Sequence, residues 1–494
     1  MTATPDPKQN QWKTLDKDLN RLEILEQATA IIGRPSVAIG VSLLFIVICG
    51  VAAASFAGYG SGTVIITAAA VFGAYMALNI GANDVANNMG PAVGANALTM
   101  GGALLIAAIF ETAGSLIAGG DVVSTISGGI VSPDAVADPD TFIWAMMAAL
   151  IASALWLNLA TWFGAPVSTT HAIVGGVMGA GIAAAGFGAV DWGKMGQIAA
   201  SWVISPILGG LVAAAFLAFI KAYVNDVPDK ITAARRWVPL LIGIMAGAFS
   251  AYLIAKGLKK VVDVSLNHAV LAGLAIGVVT FMVMRPVVRR QSEGMENRKR
   301  SLKKLFAVPL IASAALLSFA HGANDVANAV GPLAAIVHAV EDAGTADKVT
   351  IPLWVMLIGA FGISFGLMLF GPKLIRMVGQ EITKLNPVRA YCVALSAAIT
   401  VIVASAMGLP VSSTHIAVGG VFGVGFYREW HAERRARQLN LQKGKPVPAE
   451  ERGRRKLVRR AHVVGIGAAW VITVPLTAGL SAVLFLVLNA LFQA

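Results

Sequence analysis

Charge is what this chain most conspicuously lacks. Asp, Glu, Lys and Arg make up 13% of its 494 residues, against about a quarter in a soluble protein. That deficit excludes an ordinary water-soluble globule. No Lys or Arg occurs between Arg34 and Lys194, so the formal net charge of +12 does not form a nucleic-acid-binding face. Cysteine is also scarce. Cys49 and Cys392 both lie in apolar stretches, which excludes a disulfide framework and leaves them as packing residues. The first 34 residues lack the order of basic start, apolar run and cleavage site that marks a signal peptide.

What is present is apolar length. Residues 35–58 and 462–492 contain no charged residue, and each exceeds the roughly 20 residues a helix needs to cross about 30 Å of hydrocarbon. Open strand edges cannot be satisfied in lipid, so the fold class is an all-α polytopic membrane protein. The 52 glycines allow close helix approach. Spans are expected near 36–58, 63–94, 97–119, 141–163, 165–187, 199–222, 237–256, 264–284, 305–340, 350–372, 388–408, 410–427 and 463–491. Residues 63–94 and 305–340 read as too long and too broken for one straight helix, each still counted as one crossing. Within the polar N-terminal segment 1–34, Leu15, Leu19, Leu22 and Leu25 share one face after Thr14, as in a short amphipathic helix.

Alternating sides sorts the basic residues. One side receives five from the N-terminus, four from 221–236, eight from 285–304, four from 373–389 and twelve from 428–460, hence 33 of 38. Positive loops stay in the cytoplasm, which places the N-terminus inside and the C-terminus outside. The acidic loops 131–140 and 340–348 fall outside.

Two motifs occur twice. Gly81-Ala82-Asn83-Asp84-Val85-Ala86-Asn87 returns at Gly322–Asn328, and APVSTTHAIVGGVMG at 165–179 returns as LPVSSTHIAVGGVFG at 409–423. Repetition in the same order at nearly one spacing indicates duplication. With the expected sidedness the copies run in opposite directions, giving two inverted-topology repeats with broken or re-entrant helices. The expected layout is a first helix 36–58, repeat 1 over 60–220, a connecting region 221–304 and a repeat 2 core over 305–427. A basic loop 428–460 and a last helix 463–491 complete it.

Asp84 and Asp325 lie within apolar spans, where an ionisable residue is costly and functional by default. A helix cap at the membrane surface is the bland alternative. With Asn83, Asn87, Asn324 and Asn328 they offer carboxylate and amide oxygens, the ligand set of a hard cation such as Na⁺, or a proton site. Ser168, Thr169, Thr170, Ser412, Ser413 and Thr414 stand at helix starts, where free N–H groups and hydroxyls suit a tetrahedral oxyanion. An ordinary capped helix is the competing reading there. With no Lys or Arg nearby in sequence, an anion in such a site needs co-bound cations. His171, His321 and His415 are candidates for protonation or for orienting the hydroxyls, or are structural. Glu111 is either packing polarity or part of the ion path, and the matching stretch near Gly362 has no acid. No resident metal site and no cofactor other than a coupling cation is expected.

The paired GANDVAN and PVSTTH/PVSSTH motifs resemble the inorganic phosphate transporter family, and its bacterial low-affinity permeases in particular, over residues 60–220 and 300–490. The resemblance implies inorganic phosphate carried with H⁺ or Na⁺ through the inner membrane, in some members as a complex with a divalent metal. It further implies cation and phosphate handling by Asp84, Asp325 and their Asn neighbours, Asn87 and Asn328 among the phosphate ligands. The six hydroxyl residues would contact phosphate. It leaves open a sulfate symporter of the same fold and a homo-oligomer. A membrane hydrolase using Ser168 or Ser412 with a nearby His is the rival of another class, weakened because a hydrolase needs one nucleophile–base pair, not two matched sets.

Overall fold

The structure, a computed structural model, describes residues 35–58, 60, 62–136, 138–163, 167–257, 264–341, 351–381, 385–443 and 460–492. The expected N-terminal amphipathic helix, most of the loop 340–348 and residues 444–459 of the basic loop lie outside them. Among the described residues eleven helices are long and apolar enough to cross a membrane, and no strand is longer than a single bridge pair.

In the first half the helices are α1 (Pro35–Ala57), α2 (Thr63–Gly94), α3 (Met100–Ala118), α4 (Gly120–Gly128), α5 (Pro139–Phe163), α6 (Thr169–Ala185) and α7 (Trp192–Ile220). A π turn, Lys221–Asn225, leads to α8 (Lys230–Lys256) and α9 (Leu266–Gln291). The second half holds α10 (Lys299–Leu305), α11 (Ala307–Asp325), α12 (Ala327–Glu341), α13 (Leu353–Glu381), α14 (Pro387–Ala406), α15 (Ser413–Lys443) and α16 (Arg460–Phe492). Starts are capped by side chains that satisfy otherwise orphaned amides: Thr99 for α3, Asp191 for α7, Asp229 for α8 and Asn386 for α14. Leu43, Leu44, Val47 and Ile48 of α1 and Val270, Leu271 and Leu274 of α9 remain over half exposed, as suits a lipid-facing surface.

One expectation is corrected. Residues 63–94 form one continuous helix, because Pro91 falls in its last turn and breaks little of the ladder. The second copy departs from regular helix only at Val326, between α11 and α12, which keeps helical angles and i→i+4 bonds on both sides, so 307–341 still runs as one span. The spans expected at 165–187 and 410–427 each pair with the helix before them as a helical hairpin, in keeping with the re-entrant helices expected at these motifs. In the first, Val131 before α5 bridges Val190 after α6, so the hairpin enters and leaves on one side. Its inner end reaches the first motif, where Thr161 accepts from Asn83. The second hairpin, α14–α15, ends beside the second motif, where Ser405 donates to Asn324. Each hairpin still contributes two legs, so the parity of the sidedness count is unchanged.

The halves interlock. Residues 62 and 73 lie against 340 and 333 respectively, so α2 and α12 run antiparallel. Gly81 of α2 abuts the Ile363 carbonyl of α13, and Gly322 of α11 abuts the Glu111 carbonyl of α3. At both points backbone meets backbone, and a Cβ would collide with a carbonyl. The short helix α4, unforeseen in its Gly-rich and polar sequence, packs on α12.

Candidate functional site

The motif residues of both halves converge where the hairpin tips meet α2 and the α11–α12 junction. Asp84 accepts from the Thr169 hydroxyl at Oδ2 and from the Thr414 hydroxyl at Oδ1, each at 2.9 Å. One carboxylate thus gathers a hydroxyl from each hairpin. Asp325 Oδ2 accepts from the Ser413 hydroxyl at 2.9 Å, and its Oδ1 accepts from the Asn324 amide. Asn87 donates to Thr414 at 2.9 Å, and Asn328 donates to Thr169 and Thr170 at 3.3 Å each. Val411, at the second tip, accepts through its carbonyl from Thr170 and Asn324.

His321 sits in the middle of the acids. Its Nε2 lies 2.8 Å from Asp325 Oδ2 and 3.7 Å from Asp84 Oδ2, and its Nδ1 lies 3.3 Å from Glu111 Oε1. These approaches are close, though neither ring nitrogen has an aligned hydrogen bond. Glu111 Oε1 accepts instead from Asn88 at 2.9 Å. Asp84, His321 and Asp325 each offer a ligand atom within 4.8 Å of the others, enough to enclose one cation. The Oδ1 atoms of Asn83, Asn88 and Asn328 and Oε2 of Glu111 are buried acceptors with no hydrogen-bond partner. Such oxygens fit a hard cation or a proton.

Three carboxyl groups therefore surround one imidazole, all at most 1% exposed. Among the described residues no Lys or Arg is buried. Unpaired buried charge is costly, so the three acids are at ease here only when neutralised by protons or compensated by another cation.

Ser168 and Ser412 are committed to their own helices. Each hydroxyl accepts an amide three residues on, from His171 and His415 respectively, the geometry of an N-cap. His171 Nδ1 lies 2.7 Å from the Ser168 hydroxyl, and its ring stands 4.4 Å from that of His415. His171 and His415 thus meet ring to ring at the tips, while His321 approaches all three acids. The sequence did not single out three participants. Trp202 stacks on His171 at 3.7 Å and donates to the Pro410 carbonyl. Thr161 receives Asn83, and Asn88 binds Glu111. Asn88 was hidden because the second copy has Ala329 at its place, and a search for repeated letters passes over it.

Known proteins share this chain's sequence and fold. The model of the phosphate transporter family matches residues 80–481. A candidate phosphate permease of Helicobacter pylori strain J99 is 50% identical over 425 residues, covering 85% of this chain and 80% of that protein. The chloroplastic inorganic phosphate transporter 2-1 of Arabidopsis thaliana is 36% identical over 439 residues, covering 84% and 70%. A solved structure described as the sodium-dependent phosphate transporter superposes with a TM-score of 0.78 at 35% identity, covering 87% of this chain and all of that one.

Proposed function

Because the chain belongs to the phosphate transporter family, we propose that it imports inorganic phosphate across the cytoplasmic membrane by symport with H⁺ or Na⁺. The observation that carries the coupling is the buried excess of carboxylate over basic groups around His321. A phosphate anion entering beside uncompensated carboxylates would meet repulsion in a low-dielectric site. A cation at Asp84 and Asp325 removes it.

The hydrogen bonds suggest how one event prepares the other. Thr169, Thr414 and Ser413 now spend their protons on Asp84 and Asp325. A cation that takes those carboxylate oxygens frees three O–H donors, which turn toward phosphate oxygens. Thr170 and the α6 and α15 N-terminal amides add neutral donors. Cation binding therefore precedes phosphate binding, and neither is held well alone. Alternating access would follow from rocking of the interlocked halves, with the basic loops facing the cytoplasm.

Uptake of labelled phosphate into proteoliposomes, driven separately by imposed ΔpH and ΔNa⁺, tests this. Accumulation with one gradient and none without either is expected. Uptake indifferent to both gradients overturns symport. Competition by arsenate but not by sulfate is expected at the anion site, and the reverse pattern makes the substrate sulfate. A divalent-metal chelator distinguishes free phosphate, whose uptake persists, from a metal–phosphate complex, whose uptake stops.

A further inference from the structure

A second polar cavity lies far from the buried acids, where the π turn Lys221–Asn225 passes into α8. Its volume is about 650 Å³, within the ordinary range for a small-molecule site. Lys230 of α8, Lys299 of α10, and Arg434 and Arg435 of α15 line it, the Lys230 ammonium also donating to the Val227 carbonyl at 2.9 Å. One acid, Asp226, lines it as well, and it is already approached by Lys299 at 3.8 Å and by His431 at 3.9 Å. Four cations facing one shared carboxylate repel each other, and an anion between them relieves that repulsion.

Two aromatic faces complete the wall, Tyr427 and Trp430. Trp430 is 53% exposed, an unusual amount for so large an apolar ring. Arg434 stacks over it at 5.4 Å, and Lys221 lies over Tyr427 at 5.7 Å. The floor is braced in advance. Asn297 accepts from the Lys230 amide and donates to the Pro228 carbonyl, tying α10's approach to the start of α8. Asp229, held below the usual carboxylate range by the Thr232 hydroxyl and amide, caps α8 beside it. Guanidinium pairs suit phosphate oxygens through forked hydrogen bonds.

We propose that this cavity binds an organic phosphate ester carrying at least two negative charges, its phosphates between Lys230, Lys299, Arg434 and Arg435 and its remainder on Trp430 and Tyr427. The site is separate from the transport site and does not rest on the transport reading. Two sources share this chemistry, a soluble nucleotide and the headgroup of an anionic phospholipid. The cavity opens on the basic side of the molecule, where both are plentiful if that side is cytoplasmic.

Binding to the purified full-length protein tests the proposal without any transport assay. Equilibrium dialysis with labelled ATP reads the soluble source. Native mass spectrometry after exposure to cardiolipin, with phosphatidylcholine as the neutral control, reads the lipid source. The wild type is expected to hold ATP or cardiolipin, and R434Q/R435Q to weaken that binding at least tenfold. Trp430→Leu keeps every cation, folds independently of the charge change, and is expected to weaken binding less, by about threefold. Equal binding of both probes by wild type and R434Q/R435Q overturns the site, as does binding of neither probe. If either variant fails to remain monodisperse, K299Q is read in its place, with the same expected tenfold loss and the same overturning result.

Discussion

The two copies of the motif are built alike in their amides and hydroxyls and unlike in their charges. Asn87 reaches Thr414 and Asn328 reaches Thr169 and Thr170, so each half's amide crosses to the other half's hairpin. The glycine contacts set the register of the remainder: Gly81 meets Ile363 as Gly322 meets Glu111. By that register His321 faces Ile80's position, Glu111 faces Ile363's, and Asn88 faces Ala329's. Glu111 and Asn88 of the first half and His321 of the second each have an apolar counterpart in the other half, Ile363, Ala329 and Ile80 respectively. On the proposed symport reading, duplication keeps the donor frame symmetrical, as a tetrahedral anion needs, while the unmatched polar groups of both halves gather where α3 meets α11. Both aspartates, by contrast, are retained in pairs. On that reading the comparison separates the groups proposed to hold the anion from those proposed to set the coupling.

The largest effect is expected where symmetry is kept. Asp84→Asn or Asp325→Asn removes a carboxylate that accepts two hydrogen bonds, and phosphate accumulation should fall roughly a hundredfold, to background. The protein should still insert and run as a single species in detergent. Wild-type accumulation by either variant removes the central role of the pair. A smaller loss, about tenfold, is expected for His321→Gln and for Glu111→Gln, each measured for uptake against both ion gradients. Their apolar counterparts, Ile80→Val and Ile363→Val, should change uptake by less than about twofold, at the usual modest cost in stability. If the counterpart variants lose as much as His321→Gln, the asymmetry has no functional weight. The smallest effect belongs to Lys256→Gln. Its ion pair with Asp121 is 2.6 Å long but 32% and 47% exposed, and exposed pairs contribute about 1 kcal/mol or less. Its thermal midpoint should move by a few degrees at most. A tenfold drop in uptake would instead mean that its contact with the Ala406 carbonyl controls movement of the second hairpin tip.

Much of this was legible in the sequence. The apolar spans follow from length alone, and the paired motifs named Asp84, Asp325, Thr169 and Ser413 before any contact was known. Re-entrant helices were expected at the motifs, but how far each leg reaches was not legible, because an apolar helix that turns back has the same composition as one that crosses. The contact of Thr161 with Asn83 places the turn of the first hairpin beside the motif. The continuity of α2 was also hidden, because Pro91, which reads as a breaker, falls in its last turn. The approach of His321 to Glu111 spans 210 residues in sequence, and no periodicity carries such information.

One consequence concerns leverage. Gly81 on Ile363 and Gly322 on Glu111 are notches in which one helix is let into another. Two seated notches define a line, and the one rigid displacement that keeps both seated is a turn about that line. Asp84 and Asp325 stand three residues from their notches, close to the pivot, and travel little in such a turn. The hairpin tips, bonded to both aspartates, stay near the pivot as well, and the far ends of the helices travel further. The charge centre would then stay almost stationary while the walls above and below it swing, which is the arrangement of a turnstile.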